Sequence, residues 1–258
     1  MKKLFTLVFL LSAFISNAQR SMFGAQNNYV VPVTATPGTV VTGGLILNLN
    51  ANSYSGSGTT WSDLSPQNNS ATLVGNPTFS SSPASFTFAA NVIATTTQNN
   101  ISLTTATFVA WVNPSQTQGP YTGVIFSRSP HGGSSVPATG LDLYTNNSVG
   151  YHWADAGATY DWNSNLFVPN NAWSMIAITV SANSATAYLC NANGISSAIN
   201  SVSHATLSGL RFYIACDPVD QSLRAFKGKI GTAMVYNTAL TSQNITDIYN
   251  TQKAAFGL

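Results

Sequence analysis

Apolar and polar residues alternate through Leu45, Leu47 and Leu49, which predicts a strand with one buried face. Short segments of the same kind recur at Ala71–Val74, Ser85–Phe88, Ala106–Val112, Gly123–Ser127, Gly140–Tyr144, Val149–Trp153, Trp173–Val180, Ala185–Cys190, Leu210–Cys216 and Lys229–Tyr236. They are rich in Val, Ile, Thr and aromatic residues, with Gly, Pro, Asn or Ser between them, the composition of strands and their turns. From Phe108 to Pro114, and again after Trp173, the apolar residues run almost without a break. Such runs predict strands covered on both sides, with Trp111 and Trp173 as core anchors. A helical period appears at Thr241–Gln252, where Ile245, Ile248 and Tyr249 share a face and Thr241 or Ser242 is the cap. Many strands and one short helix predict an all-β, antiparallel β-sandwich with a short C-terminal helix. The strand within Gly44–Ser65 and the strand-plus-helix of Phe226–Asn250 bracket the body, and their strands are expected to be neighbours.

The chain starts differently. Lys2 and Lys3 precede an apolar run, Leu4–Ile15, and Ser16-Asn17-Ala18 supplies small residues before Gln19. This is the pattern of a cleaved export signal over 1–19. Residues 20–43, with Pro32, Pro37 and Gly43-Gly44, read as a leader or linker, and 44–258 as the sandwich domain. No other apolar run is long enough to span a bilayer, so a secreted or cell-surface location without membrane insertion is expected.

Charge is scarce. Only 6% of residues are charged, and the seven acids are all Asp. Loss of Lys2 and Lys3 leaves the exported chain with no net charge. Nucleic-acid binding, which needs clustered Lys and Arg, is disfavoured, whereas a neutral surface permits self-association. Export also permits a disulfide between Cys190 and Cys216, closing a loop of about 25 residues worth about 3 kcal/mol. Two buried free thiols are the alternative.

Catalytic patterns are sparse. Glycoside hydrolysis generally uses two carboxyl groups flanking the scissile bond. Asp155 and Asp161 are the nearest pair in an aromatic setting, and both also suit turns. No nucleophile elbow accompanies His131, His152 or His204, and no His or Cys spacing suggests a metal site. The densest group of ligand-binding side chains is Tyr151, His152, Trp153 and Asp155, followed by Tyr160, Asp161, Trp162 and Asn163. Rings can cover the C–H faces of a sugar while Asp and Asn bond its hydroxyls. Alternation places Tyr151 and Trp153 on one face. That face either presents a glycan platform or fills the sandwich interior.

Five stretches in order, Gly44–Ser65, Ala110–Pro114, Gly150–Val180, Ala185–Gly194 and Phe226–Tyr249, resemble the laminin-G-like, concanavalin A-like lectin/glucanase superfamily in its bacterial secreted branch. The resemblance implies a jelly-roll sandwich and a secreted, non-catalytic module that binds a glycan, polysaccharide or other cell-surface ligand in recognition or adhesion. Hydrolases on this fold carry a Glu-x-Asp-x-x-Glu strand, and this chain has no Glu. Acids that relatives use near a structural calcium are replaced here, by Ala89 and Ala90 and by Gly231, and Ser65-Pro66-Gln67-Asn68 stands for a Ser-Gly-Asn-Gly turn. Asp63, Asp217 and Asp220 remain as weak calcium candidates, and no other cofactor is implied. A self-assembling surface or matrix protein, its leader Tyr29–Val41 added to a neighbour's sheet, is the alternative. A polysaccharide-degrading enzyme ranks third.

Overall fold

The computed structural model describes residues 41–97, 101–128 and 137–258. The export signal, the leader before Val41 and His131 lie outside the described residues. The strands are β1 (Leu45–Asn50), β2 (Thr60–Trp61), β3 (Ala71–Val74), β4 (Thr78–Ser81), β5 (Ala84–Phe88), β6 (Ile93–Thr96), β7 (Ile101–Leu103), β8 (Ala106–Pro114) and β9 (Thr122–Ser127). They continue with β10 (Thr139–Leu143), β11 (Val149–His152), β12 (Ser174–Val180), β13 (Ala185–Asn191), β14 (Gly194–Asn200), β15 (Leu207–Leu210), β16 (Tyr213–Ile214) and β17 (Gly228–Tyr236). Two α-helices interrupt them, α1 (Gly157–Tyr160) and α2 (Ser242–Gln252).

The strands form a sandwich of antiparallel sheets. One sheet runs β14-β13-β12-β8-β17-β5-β4, and β1 pairs with the second half of β17. The first and last strands of the described body are therefore hydrogen-bonded neighbours, from Leu45 opposite Tyr236 to Asn50 opposite Thr232. The other sheet runs β11-β10-β9-β16-β6-β3-β2, and β7 and β15 form a separate pair.

Strand parity places the core. From β8, Phe108, Ala110 and Val112 enter the interior cluster, while Val109 and Trp111 face the opposite side. That side is also buried, because α2 and the turn after it cover it. Trp111 stacks on Phe256 at 4.3 Å and on Tyr249 at 5.7 Å, and its Nε1 donates to Gln252 Oε1 at 2.7 Å. Trp173 packs half-buried on the same cluster. The continuous apolar run thus has two coverings, one sheet and one helix. Helix α2 begins in a capping box, with Thr241 and Asn244 each bonding the other's backbone.

The segment Leu210–Cys216, expected as one strand, divides. Leu210 ends β15, and after Arg211-Phe212 the chain enters the second sheet as β16 between β6 and β9. Of the two readings for the cysteines, the structure has the free thiols: Cys190 and Cys216 are both unbridged and buried. Cys190 lies in the cluster beneath α2, whereas Cys216 packs with Ile93 and Tyr213, apart from the interior core. Burial pushes the Cys190 thiol up to about 12 and raises Cys216 as well.

Candidate functional site

The sequence-selected aromatic segment divides by strand parity. Tyr151 and Trp153 do share a face, but it is the interior one, and each is only 1% exposed. Their polar atoms join an internal network. Trp153 Nε1 donates to the Ala205 carbonyl at 2.7 Å. His204 Nδ1 lies 2.8 Å from the Ser181 carbonyl, which can only accept, so Nδ1 carries the proton and Nε2 accepts from the Tyr151 hydroxyl at 3.0 Å. Asn200 donates to the Tyr151 oxygen and, at 2.8 Å, to the carbonyl of Ala158 in α1. Burial lowers the pKa of His204 and raises that of Tyr151. Trp162 packs edge-on against Tyr151, and the Asn163 side chain accepts from Ser148 Oγ and the Asn165 amide to fix a turn. Tyr151 and Trp153 are thus buried framework rather than an open platform, while Trp162 is half-buried and Asn163 exposed, outside the pocket described next.

His152, Asp155 and Tyr160 come together elsewhere. With Tyr121, Arg128 and Arg224 they line a pocket of about 300 Å³ beside β9, β10 and β11. His152 points away from the interior, and its Nδ1 bonds Asp142 Oδ2. Asp142 sits on β10 directly opposite Gly150 and beside Gly123. The missing side chain at Gly150 makes room for it, since a Cβ there would lie 2.4 Å from Asp142 Oδ1. Burial raises the Asp142 pKa, and the neighbouring imidazole works against that rise. Tyr160, the last residue of α1, stacks on His152 at 5.3 Å. Tyr121 meets the edges of both rings at 5.6 and 5.9 Å.

The charged wall is organised by Asp217, whose side chain is fully buried. Its carboxylate accepts from Arg224 Nη1 at 2.7 Å and the Val219 amide at 3.2 Å, and forms an ion pair with Arg128, whose Nε lies 3.2 Å away without hydrogen-bond geometry. Arg128 Nη2 reaches on to Asp155 Oδ1 at 3.2 Å, and the other oxygen of Asp155 accepts from the Ala138 amide. Arg224 lies over the Tyr121 ring at 5.1 Å. Tyr121 donates its hydroxyl proton to Asp161 at 2.8 Å, which together with burial pushes its pKa up to about 12. Asp161 therefore holds a wall residue rather than lining the pocket itself.

Backbone conformation singles out the same place. Among the described residues eleven non-glycine positions have positive φ, and seven of them are Asn, which tolerates that region. The other four are Tyr121 (62°), Ala154 (55°), Asp155 (54°) and Ala215 (72°). Tyr121 and Asp155 line the pocket, Ala154 precedes Asp155, and Ala215 lies two residues before Asp217. Conformations of this kind cost about 1–3 kcal/mol each and gather at functional sites.

The weak calcium candidates are engaged otherwise. Asp63 accepts from the amides of Asn48, Ser65 and Asn69 and from Ser65 Oγ, all at 2.7–2.8 Å. Asp217 is committed to the arginines. Asp220 accepts from the Ser222 and Leu223 amides in a turn, and these bonds lower its pKa. Among the described residues no group of three His, Cys, Asp or Glu side chains is placed to hold a metal ion.

Sequence reasoning missed Tyr121, Arg128, Arg224 and Asp142. One available signal was an Asp between Leu141 and Leu143 in an apolar strand. Another was charge economy, since so few charged residues are spread along the chain. Neither pairs Arg128 with Arg224 across nearly a hundred residues.

A family profile described as the concanavalin A-like lectin/glucanases superfamily, of laminin-G type, matches residues 88–246. The chain belongs to this family. No curated protein matches it in sequence. Domain 4 of a GH43 extracellular arabinanase from Geobacillus stearothermophilus, solved with arabinotriose, superimposes with a TM-score of 0.59 at 15% identity, covering 79% of this chain and 97% of the domain. Trypanosoma rangeli sialidase gives 0.57 at 17% identity, covering 84% of this chain and 34% of the enzyme. A GH54 α-L-arabinofuranosidase gives 0.58 at 9% identity, covering 77% and 51%. The chain thus corresponds to a whole domain in the first case and to a half or less of the enzyme in the other two. At these identities the likeness is one of fold.

Proposed function

We propose that this chain is a secreted, non-catalytic carbohydrate-recognition module and that it holds a sugar in the Tyr121–Tyr160 pocket. The observation that carries the reading is the pocket wall: two partly exposed tyrosine rings beside guanidinium donors and a half-exposed carboxylate, Asp155. Rings cover the C–H faces of a pyranose or furanose, while the polar groups bond its hydroxyls. Its size suits one or two sugar units. The family supports the reading, and so does the arabinotriose bound to the arabinanase domain. Against hydrolysis, Asp155 is held by Arg128 and Asp161 by Tyr121, which leaves neither poised as a free acid or nucleophile. The basic, apolar and small-residue sequence at the N-terminus supports export.

The test is binding of residues 19–258 to a panel of polysaccharides and glycans, with calcium and with a chelator, in parallel with Tyr121→Ala and Tyr160→Ala. Binding by the parent that both variants lose, without loss of fold, is expected. Binding that survives both substitutions moves the site elsewhere, and no binding to any glycan ends the reading. Reducing-end release from a polysaccharide would show an enzyme instead.

Self-association has one observation in its favour. The edge strand β14 pairs only with β13 and exposes Ile195 (41%) and Ile199 (65%). Light scattering at increasing concentration tests it, and a strict monomer counts against it.

A further inference from the structure

The charges around the pocket are closed on themselves, and this defines the class of sugar. Among the described residues every cation of the wall already has an acid. Arg224 is bound to Asp217, and Arg128 to Asp217 and Asp155. Two guanidiniums therefore meet two carboxylates. Asp161, on the far side of Tyr121, adds negative charge at the rim, and His152, which also lines the pocket, is paired with the buried Asp142. From this closure, and resting on the carbohydrate reading above, we infer that the pocket selects an uncharged sugar over an acidic one.

A uronate or sialate carboxylate entering the pocket finds no unpaired cation. To bond a guanidinium it must displace Asp217, which is fully buried, or lie beside Asp155. A hydroxyl needs neither, because each guanidinium carries five N–H groups and the acids here use only some of them. The hydroxyl can also donate to the half-exposed Asp155. Unlike the cations, the hydrogen-bonding groups of the wall retain free capacity, and that capacity matches a polyol.

The experiment is titration calorimetry with oligosaccharides matched in linkage and differing in charge. One pair is fully methyl-esterified oligogalacturonides against the free oligogalacturonides; the other is cello-oligosaccharides against β-1,4-linked oligoglucuronates. In whichever pair binds, the neutral member is expected to bind at least about tenfold more tightly, as juxtaposed like charges are costly. Its affinity is expected to change less than about twofold from 50 to 500 mM NaCl, because no free charge is being neutralised. Equal or tighter binding of the charged member, or a steep salt dependence for the neutral one, overturns the inference and leaves the carbohydrate reading standing. No binding of any saccharide overturns both. In Asp155→Asn the amide oxygen can still accept from Ala138, and the wall loses one negative charge. Its ratio of acidic to neutral affinity is expected to rise at least about fivefold by the same electrostatics. An unchanged ratio in a variant that melts like the parent also overturns the inference. Should that variant fold poorly, the salt dependence of the parent still decides.

Discussion

Trp153→Ala and Tyr160→Ala should separate stability from recognition, although the two residues are close in sequence and both aromatic. Trp153 is 1% exposed, packs in the interior cluster and donates to Ala205. Truncation of a core Trp costs about 3–5 kcal/mol. In a domain of this size each kcal/mol lowers the melting temperature by about 2–4 °C, so a fall of about 6–20 °C is expected. Tyr160 is partly exposed and ends a single-turn helix, and its ring contacts are to His152 and Tyr121. Losing those contacts should cost about 1–2 kcal/mol of stability, a few degrees at most. Affinity for the best panel ligand should fall about tenfold or more in Tyr160→Ala, one stacking face being worth about 1.4 kcal/mol. Trp153→Ala, measured well below its midpoint, should retain binding to within a few-fold. Thermal melts by circular dichroism and calorimetric titration give the two readouts. A Trp153→Ala protein that melts like the parent yet loses its ligand would refute the assignment of this ring to the core.

Three further outcomes follow from the geometry. His204 is held neutral, so its folded pKa lies below the unfolded value near 6.5. The unfolded chain therefore binds the extra proton first, and stability should fall as pH drops through 6.5, by up to about 1.4 kcal/mol per pH unit. Asp142, with its raised pKa, acts in the opposite sense at lower pH, so the readout is the difference in urea midpoint between parent and His204→Gln from pH 7.5 to 5.5. Equal slopes would remove His204 as the cause. Asp63→Ala leaves three backbone amides without their acceptor and should cost about 3 kcal/mol or more in urea unfolding; a loss below about 1 kcal/mol would contradict the four-donor geometry. Both thiols should resist a thiol reagent in the native protein and react fully in denaturant, and reductant should leave the melting temperature unchanged. A fall in melting temperature on reduction would restore the disulfide.

The strands most legible in the sequence were those with large apolar side chains, such as β8, β12 and β17, and the bounds of β3 were read correctly. Strands β4, β6, β7 and β14 were overlooked. Gly194–Asn200 offers only two isoleucines in a polar segment, and it stays extended because β13 supplies a complete backbone ladder, not because its side chains demand it. Helix α2 was legible because the Thr241 cap and the apolar face agree. For Tyr151 and Trp153 alternation identified the common face but could not tell which side it opened on, since both faces of β11 are buried. Three of the eight candidate side chains, His152, Asp155 and Tyr160, reached the pocket, and the rest of the pocket did not belong to any segment. Tyr121, Arg128, Asp217 and Arg224 meet only after β9 and β16 have paired, so no local pattern contains them.

Strand β17 touches β1, β5 and β8 at once. During synthesis those three emerge well before it, and until it is made, β1 has no partner in the sheet. Closure of the sheet is therefore a late, all-or-none event that joins distant parts of the chain, with the loop-closure entropy borne before most of the reward. This topology favours slow folding and delays commitment to the native state until nearly the whole body has been synthesised. A chain cut before Gly228 would lose a central strand rather than a peripheral one, leaving β1, β5 and β8 as unpaired edges prone to association with other chains.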